Sequence, residues 1–171
     1  MLFCTGAAIA YGLIHDQVTA HLCVEYFSVA HPPVFRTSSP FLLALGWGVI
    51  ATWWVGFPLG LGLAAAARLG PSPRLTLRDL WPAVLALMFV TAIAAVVSGV
   101  TGAVLVATGR SPVPGGWGAI IPPGKQVAFS ADAWAHLASY GVGSAGGLVV
   151  IGYAIWRRRS RSAASRSTRS R

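Results

Sequence analysis

Four long runs of apolar residues set the limits on how this chain can fold. They cover about residues 2–30, 41–69, 82–108 and 131–156. A helix that crosses a bilayer needs roughly 20 such residues, and inside lipid a helix satisfies its own backbone hydrogen bonds. The sequence therefore predicts an all-α integral membrane protein, with a four-helix bundle over residues 1–156.

The composition agrees with a membrane location. Hydrophobic residues make up 55% of the chain and charged residues only 10%, whereas a soluble domain has about 25% charged residues. The chain therefore lacks the polar surface of a soluble domain. Two GxxxG pairs, Gly56/Gly60 and Gly143/Gly147, provide the small faces on which membrane helices pack closely.

The basic residues predict the orientation in the membrane. With four spans, ten of the 13 Lys and Arg residues fall on the side that holds both termini, and Arg36, Arg110 and Lys125 fall on the other. Positive loops face the cytoplasm, so both termini are expected there. Residues 157–171, rich in Arg and Ser, are predicted to form a disordered cytoplasmic tail. We expect this tail to contact anionic lipid head groups of the bilayer rather than nucleic acid.

Ionisable residues are concentrated in the first apolar run. The chain has four acidic residues and four histidines, and five of these eight lie in one stretch: His15, Asp16, His21, Glu25 and His31. Ionisable groups inside a membrane are costly unless they are partnered, and they usually mark a functional site. A helix with this polar stretch should face other helices or a wet cavity rather than lipid.

Spacing and depth favour a metal site that joins the first and fourth helices. His21 and Glu25 are four residues apart, as are Asp132 and His136, so each pair shares a helix face. If both runs are straight helices, Glu25 and His136 each lie roughly 8 Å below the same membrane surface. Histidine and carboxylate side chains on facing helices are typical ligands of metal ions in helix bundles. The sequence thus predicts a divalent metal site formed by His21, Glu25, Asp132 and His136.

A second polar set is predicted closer to the membrane midplane. His15 and Asp16 lie deeper in the first helix, and Tyr140 lies one turn beyond His136. Such residues can pass protons along a path, so a small proton-coupled transporter is the alternative to a metal or other cation site. A third interpretation is a non-catalytic subunit, in which the polar groups fix helix register and the GxxxG faces bind a second copy or a partner helix.

Other cofactor and enzyme chemistry has less support. A haem would need two histidines at equal depth, such as His15 or His21 with His136, but the neighbouring acids have no role in that interpretation. Cys23 is expected to be a small buried residue rather than a nucleophile. The sequence contains no Walker loop, GxSxG, HExxH or paired CxxC motif, so no reaction and no catalytic residue are assigned.

Four stretches carry a resemblance to known proteins. They are YGLIHDQVTAHLCVEYF at 11–27, HPPVF at 31–35, TSSP at 37–40 and DAWAHLASY at 132–140. Together they resemble uncharacterised small bacterial multi-pass membrane proteins, and the resemblance covers most of the chain outside the tail. It implies a location in the bacterial inner membrane and supplies no activity.

Overall fold

The computed structural model describes residues 1–70 and 73–169, with side chains as far as residue 163. In that part of the chain every regular element is helical, which confirms the predicted all-α class. The α-helices are α1 (Leu2–Leu22), α2 (Val24–Ser28), α3 (Pro40–Ile50), α4 (Trp53–Arg68), α5 (Leu77–Ala107) and α6 (Gln126–Arg169). Two short 3₁₀ helices, Pro114–Ala119 and Pro123–Lys125, precede α6.

The first predicted span, residues 2–30, is divided in two at Cys23. The backbone of Cys23 is extended (φ −147°, ψ 92°), although its N–H still donates to the carbonyl of Thr19 at 2.9 Å. Neither proline nor glycine occupies the break, so the local sequence does not predict it. The break changes the direction of the residues that follow, including Glu25.

The second predicted span, residues 41–69, is also divided. The break falls at Ala51 and Thr52, between α3 and α4, and Pro58 lies inside α4. The Thr52 hydroxyl donates to the carbonyl four residues earlier at 2.6 Å. The Tyr140 hydroxyl donates to the carbonyl of Ala51 at 3.0 Å, so a group from α6 satisfies the backbone where the helix is interrupted.

The helices of the third and fourth predicted spans, α5 and α6, begin earlier than the apolar runs indicate. Helix α5 starts at Leu77 rather than near residue 82 because Thr76 and Asp79 form a capping box. In this arrangement each residue satisfies a backbone N–H that the first turn would otherwise leave without a partner. Helix α6 starts at Gln126 rather than near residue 131, since the preceding 3₁₀ helix leads directly into it.

Helix α6 continues past Trp156 into the predicted disordered tail, residues 157–171. Arg157 and Arg161 lie on this extension and contact the Asp79 carboxylate at 3.3 Å and 2.5 Å. These contacts join the extension to the start of α5 and explain why so polar a segment is helical. The last two residues of the predicted tail lie outside the described part of the chain.

A buried arginine joins the same extension to the end of α4. The guanidinium of Arg158 donates to carbonyl groups in the last turn of α4 and in the loop beyond it: Ala66, Leu69, Gly70 and Pro73. The last carbonyls of a helix have no partner within the helix itself. Arg158, which is 6% exposed, therefore serves as a cap supplied by a distant part of the chain.

The long helices pack in the order α1, α4, α6, α5. Helix α1 packs against α3 and α4, α4 against α6, and α6 along α5, whereas α1 and α5 touch at few points. Gly12 of α1 and Gly48 of α3 lie at a close helix contact: a methyl group on Gly48 would lie 2.8 Å from the backbone of Leu13. The GxxxG pair Gly56/Gly60 also faces α1, so that small face is occupied within the chain.

Among the described residues, three segments are long and apolar enough to cross a membrane. They are Pro40–Arg68, Leu77–Ala107 and Pro123–Ala163. By length and composition this is a membrane protein. Helix α1, which the sequence predicts as one of four spans, is not in this set; three consecutive polar residues, 15–17, lower its hydropathy.

The segment at 109–130 folds over one end of the helices. Its apolar residues join the thiol of the α1–α2 break in one buried cluster: Cys23, Val113, Ile121 and Phe129. The Gln126 side chain donates to the carbonyls of Gly118 and Ile121, which fixes the path of the segment. We call this end of the molecule the α2 end.

Candidate metal centre

Two histidines and an aspartate meet between α1 and α6. One nitrogen or oxygen atom of each residue lies within 4.8 Å of the others: His15, Asp16 and His136. Nε2 of His136 is 3.3 Å from Oδ1 of Asp16, and the two imidazole rings meet edge to face with centroids 4.6 Å apart. Asp16 and His136 are buried. We call these three residues the His–Asp cluster.

The orientation of His136 leaves its Nε2 atom facing Asp16. Nδ1 of His136 is 2.8 Å from the carbonyl oxygen of Asp132. Because a carbonyl can only accept, Nδ1 carries the hydrogen, and Nε2 of the neutral ring presents a lone pair. A lone pair and a carboxylate oxygen attract each other only when a proton or a metal ion lies between them. A backbone carbonyl that fixes the ring in this way is typical of metal-binding histidines.

Several buried polar atoms, one of which belongs to the cluster, have no hydrogen-bond partner in the described part of the chain. They are Nε2 of His15, both carboxylate oxygens of Asp132 and the hydroxyl of Thr91. Asp132 is 0% exposed, so solvent does not satisfy its carboxylate. Buried polar groups are nearly always paired, and an exception calls for an explanation such as an ion.

Aromatic side chains enclose the cluster. The rings of Tyr26 and Phe27 lie 4.4 Å and 5.6 Å from the ring of His136, and Tyr11 stacks on His15 at 5.6 Å. The Tyr11 hydroxyl is hydrogen-bonded to Ser139 at 2.8 Å. These contacts hold both imidazoles in place and surround them with low-dielectric material, in which interactions with a cation are stronger than in water.

The structure does not bring His21 to the other predicted metal ligands. His21 is exposed, and its Nδ1 atom donates to the carbonyl of Gln17, one turn earlier, at 2.7 Å. It lies on a different face of α1 from His15, which turns inward. The spacing predicts which residues share a face with His21 but not which face of the helix is buried.

Glu25 also lies apart from the His–Asp cluster. One carboxylate oxygen is 3.7 Å from the Lys125 ammonium, and the other accepts a hydrogen bond from the Cys23 thiol at 3.3 Å. The break at Cys23 sets this position, because a straight helix would have carried Glu25 along the same face as His21. Glu25 therefore stands at the α2 end, between a surface cation and the buried part of the site.

Asp132 and Tyr140 lie near the cluster without belonging to it. The carbonyl of Asp132 holds His136, and its carboxylate interacts electrostatically with Asp16 and Glu25. Tyr140 donates to the backbone at the α3–α4 break and stacks on Trp54, with ring centroids 6.1 Å apart. Of the seven predicted polar residues, three form the cluster, and Asp132 supports one of them through its backbone.

A cavity extends from the cluster between α1, α4, α5 and α6. Its volume is about 130 Å³. Beyond the cluster its walls are mainly apolar and include Leu59, Leu63, Val84, Leu87, Met88 and Val150. Thr91, whose hydroxyl is unpartnered, also lines it. Sequence reasoning did not single out Thr91, because one threonine within an apolar helix carries no signal of its own.

Comparison with known family models, curated proteins and solved structures gave no match to this chain.

Proposed function

We propose that this chain is a multi-pass membrane protein that binds a divalent metal ion at His15, Asp16 and His136. The observation that supports it best is the convergence of two imidazole nitrogens and one carboxylate oxygen within 4.8 Å. Two histidines and one carboxylate form a common ligand set for zinc and for non-haem iron. The proposal keeps His136 from the set predicted by the sequence and takes its other two ligands from the deeper polar residues.

A metal ion accounts for more of the observed geometry than a proton does. A proton between His136 and Asp16 would satisfy that pair but would leave Nε2 of His15 without a partner. A divalent ion can accept lone pairs from all three residues at once. Three protein ligands leave coordination positions open, which is typical of sites that bind a small molecule or perform catalysis.

The metal site fits a bundle of four spans with both termini in the cytoplasm. Helix α1 brings two polar residues into the membrane, and its packing on α3 and α4 shields them from lipid. The basic residues of the C-terminal extension support a cytoplasmic position for that end. We place the protein in the bacterial inner membrane, with the extension near anionic lipid head groups.

Metal analysis of the purified protein tests the proposal. We expect the wild type in lipid nanodiscs, loaded with Zn²⁺, Mn²⁺ or Fe²⁺ and then desalted, to retain about one ion per chain. The double variant His15→Gln/His136→Gln should lose affinity by about 100-fold or more, because each ligand matters at least as much as its supporting shell. Inductively coupled plasma mass spectrometry gives the metal content.

The matched control is His21→Gln, which removes an exposed histidine from the same helix. It should bind metal as the wild type does, with the same circular dichroism spectrum. Stoichiometric metal in the double variant, or a wild type that binds none of the three ions, would overturn the proposed site.

A second candidate function is the movement of cations or protons from the α2 end to the cluster. It is favoured by Asp132, whose buried carboxylate has no hydrogen-bond partner among the described residues and interacts with both Glu25 and Asp16. The three carboxyl groups together provide a series of sites, from the surface inward, at which a proton or a cation can bind. A purely structural subunit has less support, because the Gly56/Gly60 face is already packed against α1.

Flux measurements test the second candidate. In reconstituted vesicles with an imposed pH gradient, the wild type should carry protons or Zn²⁺, and Asp132→Asn should reduce the rate by roughly tenfold or more, as expected for a lost proton-transfer group. His21→Gln, which changes an exposed ionisable residue outside the cluster, is the control. Equal rates for empty vesicles and wild type would exclude this function.

A further inference from the structure

The cavity beside the His–Asp cluster has a polar end and an apolar end. The cluster residues form the polar end, together with the hydroxyl groups of Tyr11 and Ser139. Away from them the walls consist of aliphatic side chains from α4, α5 and α6. A cavity with this division suits a molecule that has an oxygen-containing head and a hydrocarbon tail, with the head at the cluster.

The size of the cavity limits how much of a ligand's hydrocarbon chain it can enclose. On α1 it extends from Cys4 to Asp16, roughly 18 Å along the helix. Its volume, about 130 Å³, is close to that of a cavity of about 150 Å³ known to hold benzene. It therefore encloses the head and about six carbons of a ligand rather than a complete long chain.

The rest of a longer hydrocarbon chain can extend from the cavity into the bilayer. The cavity is only partly enclosed, and the side between α1 and α5 is the most loosely packed, since these helices touch at few points. A ligand that lies along this side would keep its tail in lipid while its head reached the cluster. A single hydrocarbon chain meets this requirement better than a rigid ring system does.

The charge at the cluster indicates the kind of head group. A divalent ion with Asp16 and two neutral histidines has a net charge of +1, so an anionic carboxylate would balance it. We infer that the cavity binds a single-chain fatty acid with its carboxylate on the open positions of the metal, an inference that rests on the proposed metal site.

Photolabelling in nanodiscs tests the inference with a defined probe, a dodecanoic acid that carries a diazirine near its head. Gly143 lines the cavity, and a methyl group on it would meet only Thr91, at 3.9 Å. The variant Gly143→Leu should therefore place a side chain in the cavity and reduce labelling of the cavity residues by about tenfold. Gly141→Leu makes the same change on the same helix where nothing lies within 4 Å, and labelling should be unaffected.

Metal content measured on every variant separates this inference from the proposed function. Gly143→Leu should retain the metal, which also shows that it folds; Met88→Phe provides a second way to fill the cavity. Labelling that persists in both filled variants overturns the inference even when the metal is bound. Equal labelling by the matching alcohol, or labelling of metal-free protein at the wild-type level, overturns the carboxylate-on-metal assignment. A wild type without metal would refute the proposed function itself.

Discussion

Gly48→Leu is expected to prevent α1 from packing on α3. A side chain at this position would begin 2.8 Å from the backbone of Leu13, and backbone atoms of a packed helix cannot move aside as a flexible side chain can. Overpacking of this kind costs about 3 kcal/mol or more when the neighbour is rigid. Since α1 carries His15 and Asp16, the variant should also lose its metal.

Thermal unfolding in detergent, followed by circular dichroism, measures this effect. Gly6→Leu is the control, because Gly6 lies on α1 with nothing within 4 Å of an added methyl group. It should unfold at the wild-type temperature, whereas Gly48→Leu should unfold well below it or fail to yield monodisperse protein. A Gly48→Leu protein as stable as the Gly6→Leu protein would show that α1 does not pack on α3 in this way.

Asp132→Leu is expected to make the protein more stable. Its carboxylate is fully buried, and no described residue donates a hydrogen bond to it. A buried polar group without a hydrogen-bond partner costs about 1–3 kcal/mol, and a hydrophobic residue of similar volume should recover about that much. A gain in stability would mean that the Asp132 carboxyl group makes no structural contribution, which agrees with a role in binding protons or cations.

The same substitution at Asp79 should make the protein less stable. Asp79 caps α5 through Thr76 and contacts Arg157 and Arg161, so Asp79→Leu removes a cap and leaves two cations without their carboxylate. Chemical unfolding of both variants in the same detergent gives the comparison. If Asp132→Leu were as destabilising as Asp79→Leu, the Asp132 carboxylate would have a structural partner and the transport interpretation would lose its basis.

The sequence predicted the helical class and the approximate extents of the long apolar helices, because hydropathy over 20 or more residues is a strong local signal. It did not predict the breaks at Cys23 and Ala51. Both positions make contacts with distant residues that local sequence does not reveal: Cys23 packs with Phe129, and the Ala51 carbonyl accepts from Tyr140. No local pattern of proline or glycine marks either position.

The sequence predicted only part of the candidate site, again because the rest depends on where the helices break and how they pack. The join between α1 and α6, and the involvement of His136, followed from the small number of ionisable residues in the chain. The depth estimate for Glu25 assumed a straight helix, and the break at Cys23 invalidates that assumption. The spacing of His21 and Glu25 could not show that the inward face of α1 carries His15 and Asp16 instead.

The cap that Arg158 provides has a consequence for the order in which the molecule is completed during translation. The carbonyls that it binds belong to residues made 85 to 92 positions earlier. While the ribosome is still making α5, the end of α4 therefore lacks this donor. The end of α4 acquires this cap only after Arg158 has been made, and a product that stops before Arg158 lacks it.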